Sequence, residues 1–155
     1  MRVSQAVGRS LEEWIRWSAW NDPNLTLVKQ FPEVRFIHGK PVVTAKGAPD
    51  YVGWVGDYAL GVVFDAKSTQ AKQVLYAPAD RKHQFEFMQD AVRRHPRIVA
   101  FYLVEWRKFE VFEVFPVSAD STWPFVMRRG EGVFSTSDLG EVWKYLRGRK
   151  GFDGG

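Results

Sequence analysis

Pro49-Asp50-Tyr51-Val52-Gly53-Trp54-Val55 … Ala59-Leu60-Gly61-Val62-Val63-Phe64-Asp65-Ala66-Lys67 reads as two strands, Tyr51 to Val55 and Ala59 to Ala66, turning at Gly56-Asp57. Asp65 and Lys67 are two apart, so on a strand they point to one face. The run before them, Gly61-Val62-Val63-Phe64, is apolar and expected to be buried. A carboxylate and an ammonium at the end of a buried strand are costly unless they pair, bind metal or do chemistry. Asp50 opens the preceding strand, and a hairpin brings it beside Asp65. Two carboxylates pushed together repel, and a divalent cation relieves the repulsion. Phosphodiester hydrolysis needs stabilised phosphoryl charge, an activated water and a stabilised leaving oxygen, all of which carboxylate-held cations supply. A lysine beside them orients or deprotonates the water. Taken alone, an Asp-x-Lys triplet is more often a surface ion pair. The Pro-Asp upstream adds weight to the chemical reading without deciding it.

Outward from this hairpin the chain alternates in period. Ser10-Leu11-Glu12-Glu13 reads as a capping box opening a helix with Leu11, Trp14, Ile15 and Trp17 at helical spacing, stopped by Asn21-Asp22-Pro23. Strands are predicted over Leu25 to Phe31, Val34 to Ile37 and Val42 to Thr44, with a turn at His38-Gly39. Phe85, Met88, Ala91 and Val92 mark a second helix that begins after Pro78-Ala79-Asp80 and ends at His95-Pro96. Strands Ile98 to Val104 and Phe109 to Phe115 follow, then a turn-rich stretch around Trp123-Pro124 and a last helix from about Ser137 to Arg147. The order predicts one α/β domain over 1–148, with a mixed central sheet flanked by helices, and a flexible tail over 149–155.

The composition narrows the chemistry. The 155 residues include no cysteine, which removes disulfides and thiolate metal sites, so any metal falls to carboxylates, carbonyls or the three histidines. No stretch is long and apolar enough to span a membrane, and the first residues lack a signal peptide's apolar run, so a cytoplasmic location is expected. The net charge is +4. Arg128-Arg129 and Lys144 … Arg147 … Arg149-Lys150 gather positive charge towards the end, as suits a polyanion or, equally, a solvated face.

The stretch Pro49-Asp50-Tyr51-Val52-Gly53 … Phe64-Asp65-Ala66-Lys67-Ser68-Thr69, followed by His83-Gln84 opening a helix, resembles the RecU-type Holliday junction resolvases of the PD-(D/E)xK nuclease superfamily. That family carries a Thr-Asp-Tyr-x-Gly strand, a Phe-Glu-Ala-Lys-x-Thr strand and a His-Gln pair on the next helix. Its Gly-x-x-Leu-Glu helix is matched by Gly8-Arg9-Ser10-Leu11-Glu12, and the likeness runs over about residues 8 to 115. The resemblance implies a restriction-endonuclease-like fold, with Glu12, Asp50, Asp65 and Lys67 as the catalytic set and Gln84 supporting it. It also implies Mg²⁺, with Mn²⁺ as a substitute, held by Asp50, Asp65 and Glu12, and no organic cofactor. The expected enzyme is a homodimer that makes paired nicks in branched, four-way DNA. Three departures stand out: the second acid is Asp65 rather than glutamate, the Asp50–Asp65 interval is slightly long, and Arg35 to Lys46 is shorter than the family's protruding stalk. The chain is short for the family, as a phage-encoded or minimal version would be.

Candidate DNA contacts are His83, Lys40 at the hairpin tip, Arg128, Arg129, Arg147 and Lys150. The site candidates also have plainer readings: Glu12 as a cap partner, His83 as a helix cap, Gln84 as an ordinary helix residue, Lys40 as a surface turn. Trp14, Trp17, Trp20, Phe85, Phe87, Phe101 and Phe112 are expected mostly in the core. Rival functions are a PD-(D/E)xK nuclease acting on other DNA and a catalytically silent DNA-binding module. The clustered acids argue against the second.

Overall fold

Ser10 starts the first helix as its spacing predicts. Its Oγ accepts the Glu13 N–H at 3.2 Å, and the chain turns into α1 (Leu11–Trp20), which buries Leu11 and Ile15. The computed structural model describes residues 10–30, 34–43, 49–56 and 60–148, with only the backbone for 34–37 and 41–43. After α1 come β1 (Leu25–Lys29), β2 (Val34–Ile37), β3 (Lys40–Val43), β4 (Tyr51–Val55), β5 (Leu60–Thr69) and β6 (Val74–Tyr76). A 3₁₀ turn (Ala79–Arg81) leads into α2 (Lys82–Arg94), then β7 (Ile98–Trp106), a second 3₁₀ turn (Arg107–Phe109), β8 (Val111–Val117), β9 (Val126–Arg128), β10 (Phe134–Thr136) and α3 (Leu139–Gly148).

Six strands form the central sheet in the order β1-β4-β5-β7-β8-β10. Every neighbouring pair is antiparallel except β5 and β7, which run parallel. That parallel pair requires a crossover, and α2 supplies it. The sheet is mixed, as expected, and apolar on both faces. On one face α1 and α3 bring Ile15, Val142, Trp143 and Leu146 against Phe64, Phe101 and Leu103. On the other, α2 brings Phe85 and Met88 against Val63, Tyr102 and Trp106. The interior strand β7 is buried from Val99 to Trp106, which explains its apolar run from Ile98 to Val104.

Several boundaries differ from expectation, each for a pairing reason. β5 continues past Ala66 to Thr69 because its ladder with β7 persists through Ser68↔Glu105 and Thr69↔Trp106. Lys40 joins β3 by pairing with Ile37 across the His38-Gly39 turn, where both residues have positive φ. Phe109 closes a 3₁₀ turn instead of opening β8. The short strands β6, β9 and β10 carry no periodicity of their own. Phe85, Phe101 and Phe112 are in the core, but Trp17, Trp20 and Phe87 are 53%, 88% and 45% exposed, contrary to expectation. On α1 the buried stripe is Leu11, Ile15 and Ser18, and the two tryptophans lie off it. Thr44, Asp57 and the 149–155 tail lie outside the described residues.

Gly53 has a local reason. A Cβ there would run into the Thr26 carbonyl oxygen of β1, so only glycine lets β4 lie this close to its neighbour.

Candidate active site

The end of β1 and the start of β4 meet beside the middle of β5. Antiparallel pairing sets Lys29 of β1 opposite Tyr51 of β4, and Tyr51 opposite Phe64 of β5. One step further, the Gln30 N–H donates to the Asp50 carbonyl at 2.7 Å, and the Asp50 N–H donates to Asp65 Oδ1 at 3.3 Å. Asp50 and Asp65 are thus brought side by side by register, as the hairpin reading expects. Beneath them the rings of Tyr51, Phe64 and Phe101 stack at 4.8 and 4.7 Å, a stiff floor across three strands.

Asp65 is fully buried. Lys67, two residues on, sets its Nζ 2.8 Å from Asp65 Oδ2, while that oxygen takes no hydrogen bond. Asp50 is half-buried and its carboxyl is pushed up to about 6. Burial is the main cause, reinforced by the hydrogen bond and negative charge of Asp65 and opposed by Lys29 and Lys67. Burial also raises the Tyr51 and Tyr102 hydroxyls, with Glu12 the next cause at Tyr51 and Asp65 at Tyr102.

Glu12 reaches the site from α1, on the opposite face of the sheet from α2. Its Oε1 is 2.6 Å from Lys29 Nζ, which is itself 4.0 Å from Asp50 Oδ1 and lies over the Tyr51 ring at 4.9 Å. Lys29 therefore stands between Glu12 and the aspartates. Among the described residues no three Asp, Glu or His side chains gather closely enough to hold a metal ion. The assembled donors are two adjacent carboxylates, one with a buried oxygen lacking a hydrogen bond. Hard oxygen donors of this kind fit Mg²⁺ or Mn²⁺, with Glu12 the nearest further carboxylate.

The other sequence candidates have varied surroundings. Gln84 is buried in the first turn of α2, with His83 half-buried beside it, and α2 covers the sheet face that carries Val63 and Tyr102. Lys40 is exposed at the β2–β3 turn, and Arg128 is exposed with Glu131 3.9 Å away. Arg129 is engaged: its Nε donates to the Lys72 carbonyl at 2.7 Å and its guanidinium stacks on Phe109. Arg147 donates to both Asp22 oxygens, at 2.7 and 2.9 Å, and ties α3 to the end of α1. Lys150 lies outside the described residues.

Lys29 escaped the sequence reading. The signal available was its place as the polar end of an apolar strand, Leu25-Thr26-Leu27-Val28-Lys29, which reveals nothing until β1 is paired with β4.

A family model, RecU: Recombination protein U, matches residues 24–144. Asp50, Asp65, Lys67 and Gln84 fall inside that range and Glu12 outside it. Among solved structures, Hjc of Archaeoglobus fulgidus, a Holliday junction resolvase from an archaeal hyperthermophile, is similar with a TM-score of 0.56 and 16% identity, over 85% of this chain and 96% of that one. That likeness is one of fold, a single domain with a mixed sheet flanked by helices. No curated protein matches in sequence.

Proposed function

Since the chain belongs to the RecU family, we propose that it is a Holliday junction resolvase, a nuclease that cuts four-way DNA junctions by hydrolysing phosphodiester bonds. One observation supports the chemistry: a fully buried Asp65 set against Asp50 and Lys67 on paired strands, a cost that a functional site would explain. Asp50 and Asp65, with Glu12 as the outer carboxylate, would hold Mg²⁺ or Mn²⁺. Bound there, the cation would supply Lewis-acid stabilisation of the phosphoryl oxygens and a more acidic water.

The chain's own groups do the rest. Lys67, fixed by its ion pair with Asp65, orients the attacking water or takes its proton. The stacked rings beneath keep both strands from shifting under load. Gln84, held in the first turn of α2, supports the site from its covered face. The exposed Lys40 and Arg128 contact phosphates, which positions the junction without reading its bases.

A four-way junction relates the two strands to be cut by a two-fold axis. A two-fold dimer of this chain would present two sites with the same relation. The exposed indoles of Trp17, Trp20 and Trp54 support such an assembly as candidate contact surface. The cytoplasm is the proposed place of action, together with the DNA substrate.

The test is a matched-salt panel of four-way junction, duplex, flap and single-stranded DNA, run with Mg²⁺, Mn²⁺, Ca²⁺ or excess chelator. Cleavage confined to the junction, supported by Mg²⁺ and Mn²⁺ and abolished by chelator, is the expected result. Equal cutting of plain duplex would overturn the substrate assignment. Undiminished cutting in chelator would overturn the metal.

A further inference from the structure

Lys29 occupies the space between Glu12 and the Asp50–Asp65 pair. Its ammonium is 2.6 Å from Glu12 and 4.0 Å from Asp50, so a single positive charge already answers two carboxylates. Its seat over the Tyr51 ring adds a cation–π contact. The same lysine lines an open groove of about 830 Å³ between α1 and β1, together with Glu12, Arg16 and Tyr51. It therefore has somewhere to go if the carboxylates find a stronger cation.

Resting on the metal-centre reading above, we infer that Lys29 is a built-in counter-cation: it holds Glu12 while the site is empty, and a divalent ion must displace it to recruit Glu12 as a further ligand. A divalent ion outbids an ammonium because it carries twice the charge and accepts several carboxylate oxygens at once. In the metal-free protein Lys29 lowers the repulsion among Glu12, Asp50 and Asp65. In the metal-bound protein its ammonium would be released into the groove. The same exchange explains why no three carboxylates gather among the described residues, although Glu12 lies only one lysine away. It gives Lys29 a positioning role, acting through Glu12.

The test is Mn²⁺ binding without DNA, read by the loss of the free-ion resonance in electron paramagnetic resonance, on Lys29→Met, Lys29→Arg, Glu12→Gln and the Lys29→Met/Glu12→Gln pair. Lys29→Met is expected to bind Mn²⁺ about tenfold more tightly than the parent, because the competitor for Glu12 is gone. Lys29→Arg keeps the competitor and should stay near the parent affinity. Removing a positive charge near the site favours any cation, so the paired variant decides the mechanism. On the Glu12→Gln background the gain from Lys29→Met should shrink to about twofold or less. Lys29→Gln repeats the measurement with a more polar side chain should Lys29→Met melt below the working temperature without metal.

Unchanged or weaker binding by both neutral variants would overturn the inference. So would a full gain that survives Glu12→Gln, since it would reduce Lys29 to a background charge. A parent protein that cuts junctions yet takes up no Mn²⁺ would overturn the metal reading along with it. A parent that binds Mn²⁺, with Lys29→Met unaltered, removes the role of Lys29 alone.

Discussion

Three carboxylates are buried on the central sheet, Asp65 on β5, Glu105 on β7 and Glu113 on β8, and the chain treats the first and the last in opposite ways. Glu113 is answered on both oxygens. It accepts from Trp106 Nε1 at 2.9 Å, from the Gly130 N–H at 3.0 Å and from the Gly132 N–H at 2.7 Å. Gly132 is needed for that cradle, since a Cβ would come within 2.5 Å of the Val114 carbonyl and 2.7 Å of Glu113 Cγ. Asp65 has one long backbone hydrogen bond, one lysine and a second carboxylate as its neighbour. A buried charge surrounded by donors is a structural pin. A buried charge left short of donors and set beside another of its sign is prepared for a cation.

Substituting the two acids should separate those roles most sharply. Asp65→Asn is expected to lower junction cleavage by roughly a thousandfold or more, about 4 kcal/mol of barrier, while thermal unfolding stays near the parent's or rises as repulsion with Asp50 is relieved. Glu113→Gln should do the reverse: activity per folded molecule is kept, while stability falls by about 3 kcal/mol as an N–H donor meets an amide that cannot accept on both sides. Two denaturant melts and two cleavage rates decide it. Equal cleavage by Asp65→Asn and the parent would collapse the distinction.

The pH response sharpens it further. The Asp50 carboxyl is raised from 3.8 to about 6, so the folded state holds its proton more tightly than the unfolded chain does. Its contribution is therefore most favourable below about 4 and is lost as pH rises to about 6, up to about 3 kcal/mol in the metal-free protein. Metal uptake, on the proposed reading, is expected to run the other way, strengthening as pH rises through about 6 because the proton no longer competes. Asp50→Asn should flatten the stability profile across that window in denaturant melts. A profile unchanged by this substitution would show that Asp50 does not titrate there.

The smallest expected effects concern the arginines, where the same contrast between committed and open side chains recurs. Arg147 is committed to Asp22, so Arg147→Ala should cost about 1–2 kcal/mol of stability. Arg128 is exposed, and Arg128→Ala should make the salt dependence of junction binding shallower by roughly one counterion, with cleavage at saturation unchanged. An equal salt slope for Arg128→Ala and the parent would leave Arg128 as a solvated side chain.

This contrast also marks what could be read in advance. The pairing of Asp50 with Asp65, and the common face of Asp65 and Lys67, followed from strand periodicity and one turn, because both are local. The cap at Ser10 and the crossover helix were local too. Lys29 and Glu113 were not legible, because their meaning comes from partners on other strands: Glu12 and Asp50 for the one, Trp106 and the glycines after β9 for the other. Trp17 and Trp20 misled for a related reason. Hydrophobic character alone does not say on which side of a helix the core lies. The short strands β6, β9 and β10 borrow their order from longer neighbours and leave no pattern behind.

The single parallel pairing in the sheet has a consequence in time. β4 can close on β5 through a short connection, but β5 acquires its other neighbour only after α2 and β7 have been made and folded back across it. Such non-local closure is slow relative to hairpin formation. Asp65 sits on the strand that waits, so its burial, and with it the pressure on the two carboxylates, arrives among the last events of assembly. Until α2 and β7 close over β5, the hairpin sets Asp50 beside Asp65 without yet burying them.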